Sequence, residues 1–239
     1  MSNFKRTFRN LACVFALAAS IATISYEARA EMPQTDVALV QQMGDASNDR
    51  KIQALDLYYA LHVSELIVQN MNERRTGSMF AVQRAKRANK AQKIINELQK
   101  KANKVVAERS AKIRENQDLR IKLGEISGLD FSDPLVMAPD APLEKPKVTA
   151  TVPADLIAAR ETAWSALGVA QNAWKEERLI LLDAQQRYDE TRDVPIGDHL
   201  RAMTLAETNY ARAIGAYRLI EAKIAVASGK SLANVLGAL

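Results

Sequence analysis

Two histidines, His62 and His199, one cysteine, Cys13, and scattered Ser, Asp and Glu are the side chains of this 239-residue chain that could move a proton, hold a metal or attack a carbonyl. Each of those chemistries needs its groups gathered. A zinc site takes Cys and His at short fixed spacing, and acyl transfer takes a nucleophile, a base and an orienting acid. Neither histidine has a second His or Cys at ligand spacing on its own helix, and no Ser, His and Asp constellation stands out. His62 falls near an apolar seam, where a hydrogen-bonded core histidine is expected rather than a ligand, and His199 falls beside a chain break and is expected to be exposed. No catalytic, cofactor-binding or metal residue is assigned, and the chain reads as a non-enzyme without cofactor or small-molecule substrate.

Positive charge is the strongest chemical signal left. Arg84, Lys86, Arg87, Lys90, Lys93, Lys100, Lys101 and Lys104 are interrupted by one acid, Glu97. Such a run suits an acidic partner, although its ordinary role is the solvated face of a long helix whose other face is apolar. Trp164, Trp174, Tyr188, Tyr210 and Tyr217 recur at helical spacing and read as packing residues rather than a ligand box.

Residues 1–30 read as an export signal: Lys5, Arg6 and Arg9 make a basic start, Leu11 to Ile24 an apolar stretch, and Ala28-Arg29-Ala30 a cleavage site. About fourteen apolar residues fall short of the roughly twenty that span a bilayer as a helix. The mature chain is expected to begin at Glu31, and Cys13 lies inside the signal, so no disulfide is expected afterwards. Removing four of the 33 Lys and Arg and one of the 28 Asp and Glu leaves 29 against 27. A nucleic-acid role then loses both its charge and its compartment, and an exported, nearly neutral chain is left.

With 48% apolar residues, 5% aromatic, nine Gly and seven Pro, the composition excludes a disulfide mini-protein and a disordered chain and favours long helices. After a polar lead-in over 31–48, Ile52, Tyr59 and Leu66 repeat every seven residues, with Leu55 and His62 offset by three. Thr76-Gly77-Ser78 is expected to end that helix, Gly at a stop and Ser at a start. A second helix over about 79–123, about 68 Å long at 1.5 Å per residue, carries a coiled-coil seam of Ala81, Ala88, Ile95 and Ala102 with Ala91, Leu98 and Val105 between them. The two are expected to fold back as an antiparallel hairpin over 49–123.

Residues 124–153 form a Pro- and Gly-rich linker in which Lys147 to Val152 is at most one short strand, below the nine to eleven residues of a membrane strand. A second hairpin over 154–229 has Leu167, Trp174, Leu181 and Tyr188 on its first helix and Met203, Tyr210, Tyr217 and Ile224 on its second, with Ala206, Ala213, Ile220 and Ala227 between. Asp193-Val194-Pro195-Ile196 separates them, and an apolar tail, 230–239, either docks or frays. The fold class is all-α: two long antiparallel coiled-coil hairpins joined by a linker.

The second hairpin resembles the TolC family of outer-membrane efflux and secretion channels. Gln185-Gln186-Arg187-Tyr188, the break, Asp198-His199-Leu200-Arg201-Ala202 and Leu205 to Ala213 are similar to that family's periplasmic turn and returning helix, and Tyr217 to Gly229 continues the likeness. Asp193 stands where the family has Gly. The first hairpin resembles the same pattern through Tyr58-Tyr59-Ala60-Leu61, Thr76-Gly77 and Leu123-Gly124, with a Gly77 to Ala88 spacing one residue longer. Family members carry an additional strand hairpin and a further helix in each repeat, which are missing here, so the chain looks like the soluble helical part of such a channel.

The resemblance implies a homo-oligomer, or co-assembly with an outer-membrane channel or periplasmic adaptor, within an efflux or type I secretion assembly. It implies docking at the two tips, through Thr76, Gly77, Asp193, Val194, Pro195 and Asp198. The alternative is a free-standing periplasmic helical bundle, such as a type IV secretion pilus-associated component or a holdase chaperone, whose heptads are satisfied internally.

Overall fold

In the computed structural model residues 32–135, 152–191 and 196–239 are described, and every regular element among them is an α-helix. The order is α1 (Asp36–Gln42), α2 (Asn48–Arg87), α3 (Gln92–Ser127), α4 (Ala154–Thr191), α5 (Ile196–Ala227) and α6 (Leu232–Gly237). The expected signal over 1–30, all of the Lys147 to Val152 strand but its last residue, and the break at Asp193, Val194 and Pro195 lie outside the described residues.

The first hairpin is built differently from the expected one. Helix α2 does not stop at Thr76-Gly77-Ser78 but runs on for about 15 Å, at 1.5 Å per residue, to Arg87. A lone glycine costs a helix only about 1 kcal/mol, and the Thr76 hydroxyl donates to the Asn72 carbonyl at 2.9 Å, one turn back along the same helix. Beyond Gly77 the helix still has a partner, since Val82 and Ala85 are buried on α2 and Ala102 on α3.

The reversal comes at Ala88 to Ala91. Asn89 takes φ +49°, a left-handed conformation that Asn tolerates better than most residues. The Lys90 N–H bonds the Ala85 carbonyl at 3.0 Å and the Asn89 N–H bonds the Lys86 carbonyl at 3.1 Å, the paired closure of a Schellman ending. The predicted seam of Ala81, Ala88, Ile95 and Ala102 is thus divided: Ala81 belongs to the outgoing helix, Ala88 to the turn, and Ile95 and Ala102 to the returning helix. Helix α3 ends at Gly128, φ +78°, five residues beyond the expected end at 123, so that Gly124 lies inside the helix.

Helix α2 packs along α3, α4 along α5, and α2 against α5, so the four long helices lie in the order α3, α2, α5, α4. Each packed pair is antiparallel. Ser64 pairs with Asn116 and Asn72 with Arg109 in the first pair. In the second, Trp164 lies on Tyr217 with ring centres 5.1 Å apart and Trp174 stacks on Tyr210 at 5.5 Å, which gives four of the five helical aromatics the packing role their spacing implies. A buried ion pair between Arg160 and Glu221 links the same two helices.

The two pairs meet at Tyr59 and Gly215. A Cβ on Gly215 would lie 2.8 Å from the Tyr59 Cβ, closer than two carbons can sit, so only glycine allows this approach. The seam continues through Val63, Leu66 and Ala211. At the same end α1 packs on α2 and α6, and α6 on α5. The apolar tail therefore docks, with Leu232, Leu236 and Leu239 buried. Asp36, at the start of α1, accepts from the Tyr59 hydroxyl at 2.7 Å and from Arg218 at 2.6 Å, joining three helices through one carboxylate.

The two glycines are expected to respond oppositely. Gly77→Ala, in a helix interior with open space around its Cβ, raises stability in urea unfolding by about 0.5–1 kcal/mol. Gly215→Leu lowers it by about 1–3 kcal/mol through overpacking against Tyr59. Destabilisation by Gly77→Ala would instead locate a turn at that residue.

Candidate functional site

Between the two helix pairs runs a groove of about 840 Å³, walled by α2 and α3 on one side, by Leu181, Leu200 and Met203 on the other, and closed at one end by Ser132, Pro134 and Leu135. Its polar centre is Glu65 and Arg120, about 15% exposed and ion-paired. Both are fully engaged. Arg120 also donates to Asn116 Oδ1 at 2.9 Å and to the Phe131 and Asp133 carbonyls, and Glu65 Oε2 accepts from the Leu135 N–H at 2.7 Å. The pair is a clasp that holds the chain after α3 against α2. Burial raises the Glu65 carboxyl above its ordinary range, against the opposing pull of Arg120 and the Leu135 N–H.

His62 lines the same groove. Burial lowers its pKa to about 4, although the Asp36 charge pulls the other way, so the imidazole is neutral at pH 7. Its ring stands edge-on to Tyr58 with centres 4.6 Å apart, and Nδ1 has no hydrogen-bond partner. The expectation is a hydrogen-bonded core histidine; His62 is half-buried, and the hydrogen bond fails at Nδ1. Asn70 also lines the groove, buried with its Nδ2 unpartnered. These groups can hydrogen-bond a polar visitor. Glu65 lies one turn from His62 and is committed to Arg120, and no group of three or more His, Cys, Asp and Glu side chains among the described residues could hold a metal ion.

The residues expected to form the two docking tips are not brought together as a set. Thr76 and Gly77 are exposed on a continuous helix, about ten residues short of the actual turn. Asp193, Val194 and Pro195 are outside the described residues. Asp198 lies in the first turn of α5, exposed, with Arg201 at 3.4 Å. His199, expected to be exposed, is half-buried. The true first tip, Ala88 to Ala91, was legible only in Asn89-Lys90, a weak turn signal beside the Thr-Gly-Ser that competed with it.

A different feature escapes the motif reading altogether. The outer faces of α3 and α4 carry large apolar residues in water: Ile94, Val106 and Ile121 on α3, and Val169, Leu179, Ile180 and Leu182 on α4. Beside Val169 a shallow groove of about 800 Å³ is lined by Ala166, Ala170, Ala173 and Ala206. No described helix is long and apolar enough to cross a membrane. No protein-family model matches this chain, and neither does any curated protein or solved structure.

The histidine makes acid sensitivity measurable. A folded pKa near 4 against an ordinary 6.5 means that the unfolded chain binds the proton first, so the His62 contribution is complete above pH 6.5 and is lost as pH falls to 4. The loss amounts to about 2–3 kcal/mol. His62→Leu is expected to remove that part of the slope in denaturant titrations between pH 7 and 4. Glu65 titrates alike in both proteins, so the difference between them isolates His62.

Proposed function

We propose that this chain works without catalysis, as a helical wall element of a cell-envelope export assembly of the efflux or type I secretion kind, in the manner of the periplasmic helices of a TolC-like channel. One observation carries the reading: the four long helices form an open row rather than a closed bundle. A free-standing bundle turns the apolar faces of all four helices inward. Here α3 and α4 are the two edges of the row, and seven of the ten large apolar side chains left in water among the described residues belong to them.

Apolar surface of that kind costs free energy until something covers it, at about 25 cal/mol per Å². The two edges differ, since α3 offers isolated Ile and Val knobs and α4 offers Val, Leu and Ile beside a strip of alanines. Unlike edges favour head-to-tail association, in which the α3 edge of one copy, or of a channel or adaptor subunit, meets the α4 edge of the next and the row closes into a tube or sleeve. The export signal read from residues 1–30 supports a periplasmic location, and the second-hairpin motifs support the family likeness. Of the two tips read from that likeness, the first is taken at Ala88–Ala91 and the second stays as read from the sequence, at Asp193, Val194, Pro195 and Asp198.

Light scattering with small-angle scattering on the chain purified from the periplasmic fraction tests the reading. A defined oligomer is expected, and Ile121→Glu or Val169→Glu is expected to weaken it at least tenfold while helix content by circular dichroism stays the same. A compact monomer at every concentration, with or without detergent, and indifferent to both substitutions, would overturn it in favour of the self-contained bundle.

A further inference from the structure

We infer that the end of the α2–α3 pair is a membrane-contact tip that binds the surface of an anionic lipid bilayer. Arg84, Lys86, Arg87, Lys90, Lys93, Lys100, Lys101 and Lys104 are all exposed. Lys104 is ion-paired with Glu108 at 3.9 Å, and among the described residues none of the other seven has a carboxylate within ion-pair distance, Glu97 lying one helical turn from Lys93, Lys100 and Lys101. A solvated helix face ordinarily intersperses its cations with acids. Here eight cations share one carboxylate, Glu97, over 21 residues from 84 to 104 that fold back on themselves at Ala88–Ala91, so their charge is concentrated at the end of a two-helix rod.

The same end leaves large apolar side chains about half in water. Val82, Ala85 and Ala102 already supply the α2–α3 contact, whereas Phe80 is 56% exposed and Met79 and Ile94 are each 45% exposed. Basic residues with an exposed Phe, Met and Ile are what shallow insertion into a headgroup layer requires. The cation type separates a lipid surface from a protein or nucleic acid. Six of the eight are Lys, point charges suited to a diffuse field, and only two are Arg, whose fork fixes a single carboxylate or phosphate. Phe80 is the single aromatic residue at this end, too few for the successive base stacking that single-stranded nucleic acid uses.

The basic run, Met79 and Phe80 that carry this inference are not among the edge residues, and only Ile94 is shared with the α3 edge. The test is co-sedimentation of the full chain with vesicles of phosphatidylcholine, alone or with about a third phosphatidylglycerol as the anionic lipid. Neutral vesicles measure whatever the apolar stretch within residues 1–30 contributes. Binding is expected to be stronger on the anionic vesicles and to weaken as salt is raised.

Lys90→Gln, Lys93→Gln and Lys100→Gln together are expected to lower affinity for the anionic vesicles about a hundredfold. Phe80→Ser is expected to lower it about tenfold at unchanged charge, and Lys112→Gln with Lys122→Gln, farther along α3, to leave it as it was. Equal binding to both vesicle types, or tip variants that bind like the parent, would overturn the inference. So would capture of the tip by a polyglutamate peptide without any vesicle binding, which would assign it to an acidic protein.

Discussion

The architecture depends on Tyr59 of α2 crossing α5 at a residue with no side chain. At Gly215 the two helices come within a distance that any Cβ would forbid, and this crossing begins the seam that unites the two helix pairs. Asp36 reinforces it by accepting from Tyr59 and from Arg218, one residue on each partner helix. A buried carboxylate is costly unless it is hydrogen-bonded and paired, and here both conditions are met by groups that come together only when α1, α2 and α5 are all docked. The polar contact therefore specifies the arrangement whose energy comes from Leu39, Leu55, Leu61 and Leu236 around it. Away from this end the cross-section thins, until at Ala88–Ala91 only two helices remain.

Two further ion pairs do for each helix pair what Asp36 does for the junction. Glu65 with Arg120 ties α2 to α3 and gathers the chain that follows them, and Arg160 with Glu221 ties α4 to α5 with both side chains about 4% exposed. Neither needs to add net stability, since desolvation offsets much of the attraction. Their effect is on register. A heptad seam rich in alanine is permissive, because sliding one helix by a turn replaces one small residue with another. A buried charge whose partner sits at one position removes that freedom, and leaving it unpaired costs several kcal/mol, on the order of 3–5.

The helical class and the aromatic packing of the second pair were legible because periodicity reports burial directly: Trp174 meets Tyr210 and Trp164 meets Tyr217 through the spacing that the sequence displays. The first turn was misplaced for an equally physical reason. Thr76-Gly77-Ser78 contains good stop and start residues, but a propensity of about 1 kcal/mol yields to continued burial, and Val82 and Ala85 keep α2 in contact beyond it. Nothing local announces that the returning helix will keep them buried. The Glu65 and Arg120 clasp, 55 residues apart, and the Asp36 and Arg218 contact, 182 apart, are tertiary facts with no sequence period. The Tyr59 and Gly215 crossing is of the same kind, since a glycine inside a helical pattern is a cue without a direction until its neighbour is known.

Positive charge is concentrated at one end of this molecule, while exposed apolar side chains lie both there and along the edges of the row. The edges of the row are apolar and the far end of one pair is cationic, so association through the edges would not neutralise the tips but would set them side by side. Copies arranged edge to edge would all direct Lys86, Lys90 and Lys93 to one end of the assembly, where like charges repel one another while together they attract an anionic plane. Binding to such a plane would then scale with the number of copies, since each further tip engages from an already high effective concentration. The repulsion among tips sets the counterweight. It falls with distance and salt, so an edge contact strong enough to hold neighbouring rods together must outweigh a penalty that the membrane surface itself relieves. On that argument assembly and surface attachment are thermodynamically linked, each making the other more favourable through charges that touch neither edge.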